Sequence, residues 1–293
     1  MDIKTVRTLV AIADNRSFLA AAQSMGKSLS NVSLQVQALE KELDVQLFDR
    51  SSRPPRLTEA GSDFVLRSRE MLVHWENLQT SVSGNSGQGQ LKVGAVHTAV
   101  AGGVSVALGR MRKRHDGLFL QLHTALTTEL IRQLQNQTID CAIITETVNT
   151  VMGMRFLPVA REELGVIANR EVRGENFREI LESNPYLRFN RQATLAQLID
   201  SELKNRGIRV NATMEITTLD AIESLVRNGL GVSVVPVGRT VRPLPRSIRR
   251  FSFSEPRFYR SLGMMVKEDC PRMHLVEILL EELRRAYAMT GNQ

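Results

Sequence analysis

Ser17 to Gly61 reads SFLAAAQSMGKSLSNVSLQVQALEKELDVQLFDRSSRPPRLTEAG, and the fold turns on this stretch. It predicts two helices joined by a tight turn, then an Arg- and Pro-rich hairpin. The Ser17 hydroxyl can accept a bond from a free first-turn amide, which starts a helix over Phe18 to Ser24. Ala21 and Ala22 are small enough to let a second helix cross closely. Gly26 falls where the chain must turn sharply, which predicts a positive φ. Ser28 then caps a second helix, in which Leu29, Val32, Val36, Leu39 and Leu43 recur at helical spacing. That spacing leaves Ser30, Asn31, Ser33, Leu34, Gln35 and Gln37 largely on the other side. Short hydroxyls and amides suit base edges in a major groove, and equally an ordinary solvated face.

The residues after this helix separate the two alternatives. Leu47-Phe48-Asp49-Arg50 leads into Ser51 to Arg56 and then Leu57-Thr58-Glu59-Ala60-Gly61. The whole resembles a LysR-type transcriptional regulator, whose pattern runs roughly S-F-x-x-A-A-x-x-L, V-S-Q-P-A-L-S, L-E-x-x-L-G-V-x-L-F-x-R and L-T-x-A-G. Ser17, Phe18, Ala21, Ala22, Ser28, Ser33, Leu39, Glu40, Leu43, Val45, Leu47, Phe48, Arg50, Leu57, Thr58, Ala60 and Gly61 match it. The resemblance implies an N-terminal winged helix-turn-helix, a long dimerisation helix, and an α/β effector-binding region. That region consists of two Rossmann-like subdomains arranged as in periplasmic binding proteins. It further implies double-stranded DNA, a small-molecule effector, further copies of the chain and RNA polymerase as partners. The same resemblance implies a dimer of dimers on spaced pseudo-palindromic half-sites. Two positions depart from the pattern. Lys27 stands where the family has an apolar residue, and either meets a phosphate or points into solvent. Leu29 replaces a glutamine, and could touch a thymine methyl but cannot hydrogen-bond a base.

At the N-terminus, Asp2 can cap a first helix with Ile3, Val6, Leu9, Val10 and Ala13 on one stripe. Beyond the hairpin a helix runs from about Thr58 into the low 80s. Phe64, Ser68, Met71, Trp75, Leu78 and Val82 recur there in steps of four and three, the a/d seam of a coiled coil. Phe64, Met71, Trp75, Leu78 and Val82 are therefore the expected dimerisation residues. Ser81 to Gln90 is a linker by composition. From Leu91 onward strands and helices alternate, which predicts a parallel α/β sheet. The expected domains are 1–60 for DNA binding, 61–90 for dimerisation and hinge, 91–160 with 261–293 as one effector subdomain, and 161–260 as the other. The crossovers are placed near Val159 to Arg161 and Phe258 to Leu262.

Composition sets limits without finding the function. At 293 residues and 42% hydrophobic content the chain suits a soluble protein of two or three domains, cytoplasmic by default. The net charge of +7 lies mostly outside the expected DNA-binding unit, since residues 1–60 carry eight Lys and Arg against seven Asp and Glu. No apolar run suits a membrane span. Cys141 and Cys270 are too few for a zinc site. Cys141 falls in a strand pattern and is expected to be an inert core thiol rather than half of a redox pair. The five histidines show no metal-ligand spacing, and Gly229-x-Gly231 is too short for a dinucleotide fingerprint. No catalytic set and no cofactor are expected. Arg239 to Arg250 holds five arginines and no acid, as a solvated loop, a subunit contact or an attraction for anions.

The expected DNA-facing residues are Ser28, Ser30, Asn31, Ser33, Leu34 and Gln35, with Asn31 and Gln35 the leading base readers. Arg50, Arg53 and Arg56 would flank the duplex from the wing. Effector sites in two-lobed α/β proteins lie at strand carboxyl ends and helix starts, which suit an anion such as a carboxylate. This singles out His97, Thr98, Thr127 and Thr128, with Thr145 and Thr147 after the third strand, and Asn190 and Arg191 from the second lobe. The resemblance points to the same corners, Thr98 and Thr128 above all. A competing expectation is a small-molecule binding protein whose N-terminal helices serve only in assembly.

Overall fold

The computed structural model describes residues 2–52, 54–82, 89–147, 151–237, 245–253 and 255–289. It divides into two units, the first mainly Met1–Gly89 and the second Gln90–Gln135 with Ile139–Gln293. The expected linker falls largely on residues 83–88, outside the described residues.

The first unit comprises α1 (Ile3–Asn15), α2 (Phe18–Ser24), α3 (Leu29–Leu43), the short strands β1 (Phe48–Asp49) and β2 (Arg56–Leu57), and α4 (Glu59–Val82). Each early helix starts on the cap its sequence predicts: Asp2 accepts from the Lys4 amide, Ser17 from Ala20 and Ser28 from Asn31. Gly26 has φ 63°, the left-handed turn that lets α3 double back on α2. Leu9, Ile12, Ala21, Ala22, Val32, Val36, Leu39, Leu47, Phe48 and Val65 form one core. An edge-to-face contact at 4.8 Å between Phe18 and Phe48 ties the wing to α2.

The expected dimer seam on α4 splits. Val65 is in this core, Phe64 packs against it and Ser68 is buried. Asp14 on α1 holds Arg69 at 2.6 Å. Phe64 and Ser68 therefore belong to the domain's own interior, because α1 already covers the first turns of α4. Met71 is half-buried, Trp75 and Leu78 are exposed, and the Val82 side chain lies outside the described residues.

In the second unit, β3 (Gly89–Ala95) leads into α5 (His97–Ala99), a π-helical turn at Val100–Val104, and α6 (Ser105–Arg114). The helical stretch that follows β3 is interrupted at Gly102, whose φ −100° and ψ −132° are not helical. The adjacent Gly103 leaves room for the Tyr287 ring, which a Cβ would meet at 2.5 Å. Next come β4 (Leu118–Thr124), α7 (Thr127–Gln135), β5 (Cys141–Thr145) and the 16-residue β6 (Met154–Asn169). They are followed by α8 (Phe177–Ser183), β7 (Pro185–Phe189), α9 (Thr194–Asn205), β8 (Asn211–Ile216) and α10 (Leu219–Arg227). The chain closes with β9 (Ser233–Val237), β10 (Ile248–Ser252), β11 (Tyr259–Lys267) and α11 (Met273–Met289).

One sheet runs in the order β10-β6-β11-β5-β3-β4, with β9 also on β6, and β7 pairs in parallel with β8. β3 and β5 are parallel, whereas β6 and β11 run antiparallel, with Arg260 opposite Glu162. Among the described residues of this unit Leu130, Leu134, Ile144, Met154 and Met265 form a smaller hydrophobic cluster under α7, beside two larger ones. One gathers Leu91, Val93, Ile143, Met264 and Leu279, and the other Leu164, Leu187, Ile199, Ile222 and Val234. β6 and β11 each place residues in both lobes' neighbourhood and so form the connection between them. The first half of β6 alternates too weakly for sequence patterning to declare a strand there. Sequence patterning also did not anticipate α8, which Asn176 caps through the Glu179 amide.

The arginine-rich segment is in part ordered structure. Residues 238–244 lie outside the described residues, but Ile248–Ser252 is a strand paired with β6. Arg249 donates to the Val172 and Gly174 carbonyls and lies over the Phe251 ring.

Candidate functional site

Two sites emerge, one on each unit. On α3 the exposed face carries Ser28, Leu29, Ser30, Asn31 and Leu34, while Ser33 and Gln35 are half-buried. The Gln35 side chain is engaged within the domain: its Oε1 accepts from the Thr8 hydroxyl at 2.8 Å and from Lys27 Nζ at 3.2 Å. Lys27 also donates to Thr8 Oγ1 at 3.1 Å. Lys27 is thus neither in open solvent nor on the outer rim, because it supports Gln35 and joins α1 to α3. Replacing Gln35 by Ala is expected to cost about 1–3 kcal/mol of domain stability, since it strips partners from the buried Thr8 and the half-buried Lys27. Replacing the exposed Asn31 by Ala should leave stability unchanged. Urea unfolding followed by circular dichroism measures both.

The wing is held from α3. Glu40 Oε1 accepts from the amides of Leu47 and Phe48 at 2.9 and 3.1 Å, and its other oxygen holds Arg50 at 2.9 Å. A single carboxylate therefore fixes the turn from helix to wing. Arg56 is exposed, opposite Asp49 across the β1–β2 pair. Hydrogen bonds from Ser51, and less strongly the Arg56 charge, hold the Asp49 carboxyl below the usual carboxylate range. Arg53 lies outside the described residues.

On the second unit a cleft of about 300 Å³ opens between the lobes. His97, Thr98, Thr127, Thr145 and Asn190 line it together with Val96, Leu126, Phe189, Thr194, Thr217 and Thr218. It thus brings together five of the eight predicted residues. Thr128 and Arg191 are exposed outside it, Arg191 paired with Glu215 at 3.3 Å, and Thr147 also lies beyond the lining. α7, α9 and α10 all begin at this cleft, and no Asp, Glu, Lys or Arg is among its lining residues. Three helix starts at one cleft whose lining holds no carboxylate favour a ligand carrying negative charge.

Behind this wall lies a pair that sequence reasoning missed. The Arg260 and Glu162 side chains are 0% and 4% exposed, and Arg260 Nη2 is 2.5 Å from Glu162 Oε2. Arg260 Nη1 donates to Thr98 Oγ1 at 2.7 Å and to Thr145 Oγ1 at 3.4 Å. The guanidinium therefore joins the two connecting strands to two hydroxyls of the cleft. Opposite charges at both crossovers were visible in the sequence, but their register was not.

Elsewhere, burial pushes the Cys141 thiol well up and the Cys270 thiol up to about 11, so neither supplies much thiolate near neutral pH. Among the described residues no group of three or more His, Cys, Asp or Glu is placed to hold a metal, and no helix is long and apolar enough to cross a membrane.

A winged helix-turn-helix unit and a two-lobed unit with a ligand-sized cleft define a ligand-responsive DNA-binding protein. The family models agree in both parts. Residues 3–62 match the bacterial regulatory helix-turn-helix protein, lysR family, and residues 84–288 the LysR substrate binding domain. A probable RuBisCO transcriptional regulator of Porphyra purpurea is 31% identical, over 95% of this chain and 92% of its own length. A probable nitrogen assimilation transcriptional activator of Synechococcus elongatus is 25% identical, over 92% of this chain and 90% of that one. Among solved structures, a full-length OxyR variant from Pseudomonas aeruginosa superposes with a TM-score of 0.75 at 23% identity, over 98% of each chain. Full-length CbnR complexed with its target DNA gives 0.63 at 19% identity, over 98% of this chain and all of that one. The chain belongs to the LysR family of transcriptional regulators.

Proposed function

We propose that this regulator grips spaced, pseudo-palindromic promoter half-sites through α3 and the wing, as a dimer of dimers assembled on the outer part of α4. Asn31 and Ser30 contact base edges, and Arg56 and Arg53 contact phosphates. A small anionic effector, such as a carboxylate, occupies the cleft and changes the assembly's shape on DNA, altering output through RNA polymerase in the cytoplasm. The domain limits we take are 1–60, 61–90, 91–160 with 261–293, and 161–260, with the first turns of α4 packed into the core of the first. The observation that carries the effector assignment is the charge-free cleft at which Thr98, Thr127, Thr145 and Asn190 meet three helix starts. For the ligand to switch the protein, it must bind two arrangements with different affinity. β6 and β11 are the natural place for them to differ, since the hydroxyls of Thr98 and Thr145 are held by Arg260 on β11.

The test uses the full chain. A panel of small carboxylates is screened by thermal shift, because a ligand bound to the folded state raises the melting temperature. Thr127→Val should abolish the shift of any hit while leaving the ligand-free melting temperature nearly unchanged. Thr127 suits this purpose better than Thr98, whose loss would also disturb Arg260. In gel shifts with promoter DNA, Arg56→Ala should reduce the salt slope of binding by about one unit. A panel with no hits that Thr127→Val abolishes counts against the cleft, and an unchanged salt slope counts against the wing.

A further inference from the structure

We propose that Arg260 sets the polarity of the cleft: it commits the hydroxyls of Thr98 and Thr145 as hydrogen donors, so that the site takes a carboxylate and discriminates against the matching amide. The inference rests on the effector cleft proposed above and names the residue that determines its specificity.

Arg260 on β11 stands opposite Glu162 on β6, and both side chains are buried. The guanidinium divides its donors between two sets of partners. Nε and Nη2 both meet Glu162 Oε2, at 2.6 and 2.5 Å. Nη1 instead donates to Thr98 Oγ1 and Thr145 Oγ1. Guanidinium nitrogens only donate, so each hydroxyl oxygen acts toward Arg260 as an acceptor. The hydroxyl hydrogen is then directed away from the guanidinium, and among the described residues no protein acceptor takes it. Thr98 and Thr145 both line the cleft, where an acceptor on a ligand can meet those hydrogens.

The order of the charges gives this wall a sign. The guanidinium lies next to the hydroxyls and the Glu162 carboxylate lies beyond it, so the positive end of the pair is the end nearer the cleft. No Asp or Glu among the lining residues opposes it. Because the pair is buried, its field is only weakly screened at the short range of a bound ligand. A carboxylate presents acceptors alone, and its two oxygens can take both hydroxyl hydrogens in charge-assisted bonds. A primary amide of the same shape offers one such oxygen, and sets its N–H donors against a hydroxyl whose own hydrogen already points at it. A purely structural tie between β6 and β11 is complete with Glu162. The contacts to Thr98 and Thr145 are what carry the influence of Arg260 to the cleft.

The experiment is isothermal titration calorimetry of the full-length protein with benzoate, hexanoate and cyclohexanecarboxylate, each paired with its primary amide. These acids have apolar bodies that suit the walls formed by Val96, Leu126, Phe189 and Leu195. The wild type should prefer a bound acid to its amide by about tenfold. The double variant Arg260→Met with Glu162→Leu should lose acid affinity, hold amide affinity within about threefold, and so bring the preference to near one. Thr145→Val keeps the ion pair and removes one donor, and should weaken the acid about fivefold more than the amide. A merely structural loss would weaken acid and amide together, so the ratio is the readout. Equal wild-type affinity for acid and amide overturns the inference. So does a folded double variant that keeps the preference, because the helix starts alone then select the anion and the effector site stands. Should the double variant not fold, Thr145→Val decides, and equal weakening of acid and amide overturns the inference. If no acid binds the wild type, or its binding survives Thr127→Val, the proposed effector site itself fails, and this inference with it.

Discussion

Replacing Arg260 by Met is expected to destabilise the effector-binding unit by about 3–5 kcal/mol, the range found when one partner of a buried ion pair is removed. Glu162 would be left as a carboxylate in the interior, and the hydroxyls of Thr98 and Thr145 would lose their donor. The pair itself is not a large source of stability, because desolvating both ions offsets most of their attraction. The double variant Arg260→Met with Glu162→Leu should therefore recover most of the loss. Urea unfolding of the full chain, followed by far-ultraviolet circular dichroism, measures both; the chain's only Trp, on α4, would not report on this unit. A single-variant cost below about 1 kcal/mol would mean that water reaches Glu162 and compensates it. Recovery of stability in the double variant without recovery of ligand-dependent DNA binding would assign the pair to signalling rather than to folding.

Gly61→Ala is expected to cost the DNA-binding unit about 3 kcal/mol or more, and with it most DNA affinity. A Cβ at Gly61 would lie 2.1 Å from the Leu47 carbonyl oxygen and 2.9 Å from its carbon. Neither side can yield cheaply. The Leu47 carbonyl accepts from the Thr58 amide at 3.0 Å, its own amide is held by Glu40, and its side chain is in the core. On the other side, Thr58 binds the Gly61 amide at 2.9 Å and the Gln46 carbonyl at 2.8 Å, fixing the first turn of α4. Overpacking of backbone against backbone falls at the severe end of core substitutions. Gly26→Ala is the control: its φ of 63° disfavours a side chain, but a Cβ there meets nothing within 4 Å. It should cost only about 1 kcal/mol, the conformational term alone. Thermal melting and gel shifts of the two variants separate the effects, and equal costs would show that the approach of α4 to the wing is not tight.

Gly61 and Gly26 also mark how far the primary structure can be read. Both occur at recognisable places in a local pattern, but only the packing shows that Gly26 is required for its dihedral angle and Gly61 for its closeness to Leu47. Gln35 on α3 and Lys27 just before its cap were legible as polar residues, while their engagement with Thr8 depends on the angle at which α1 crosses α3. The cleft was legible in the same partial way. Helix starts after strands placed His97, Thr98, Thr127, Thr145 and Asn190, yet the same rule placed Thr128 and Arg191, which face outward.

The capped helices, the turn at Gly26, the wing, the alternating strands and helices, and the family are all written in the primary structure. Those signals are local: a cap, a turn or an apolar period acts within a few residues, so its chemistry can be read along the chain. Three-dimensional packing was needed to show that α1 covers the start of α4, that Gln35 is held inside its domain, and that Arg260 meets Glu162 behind Thr98. Arg260 and Glu162 are 98 residues apart, and a one-residue slip between β6 and β11 would turn them to opposite faces. Register of that kind is set by the packing of two whole lobes, and no short stretch of the chain contains it.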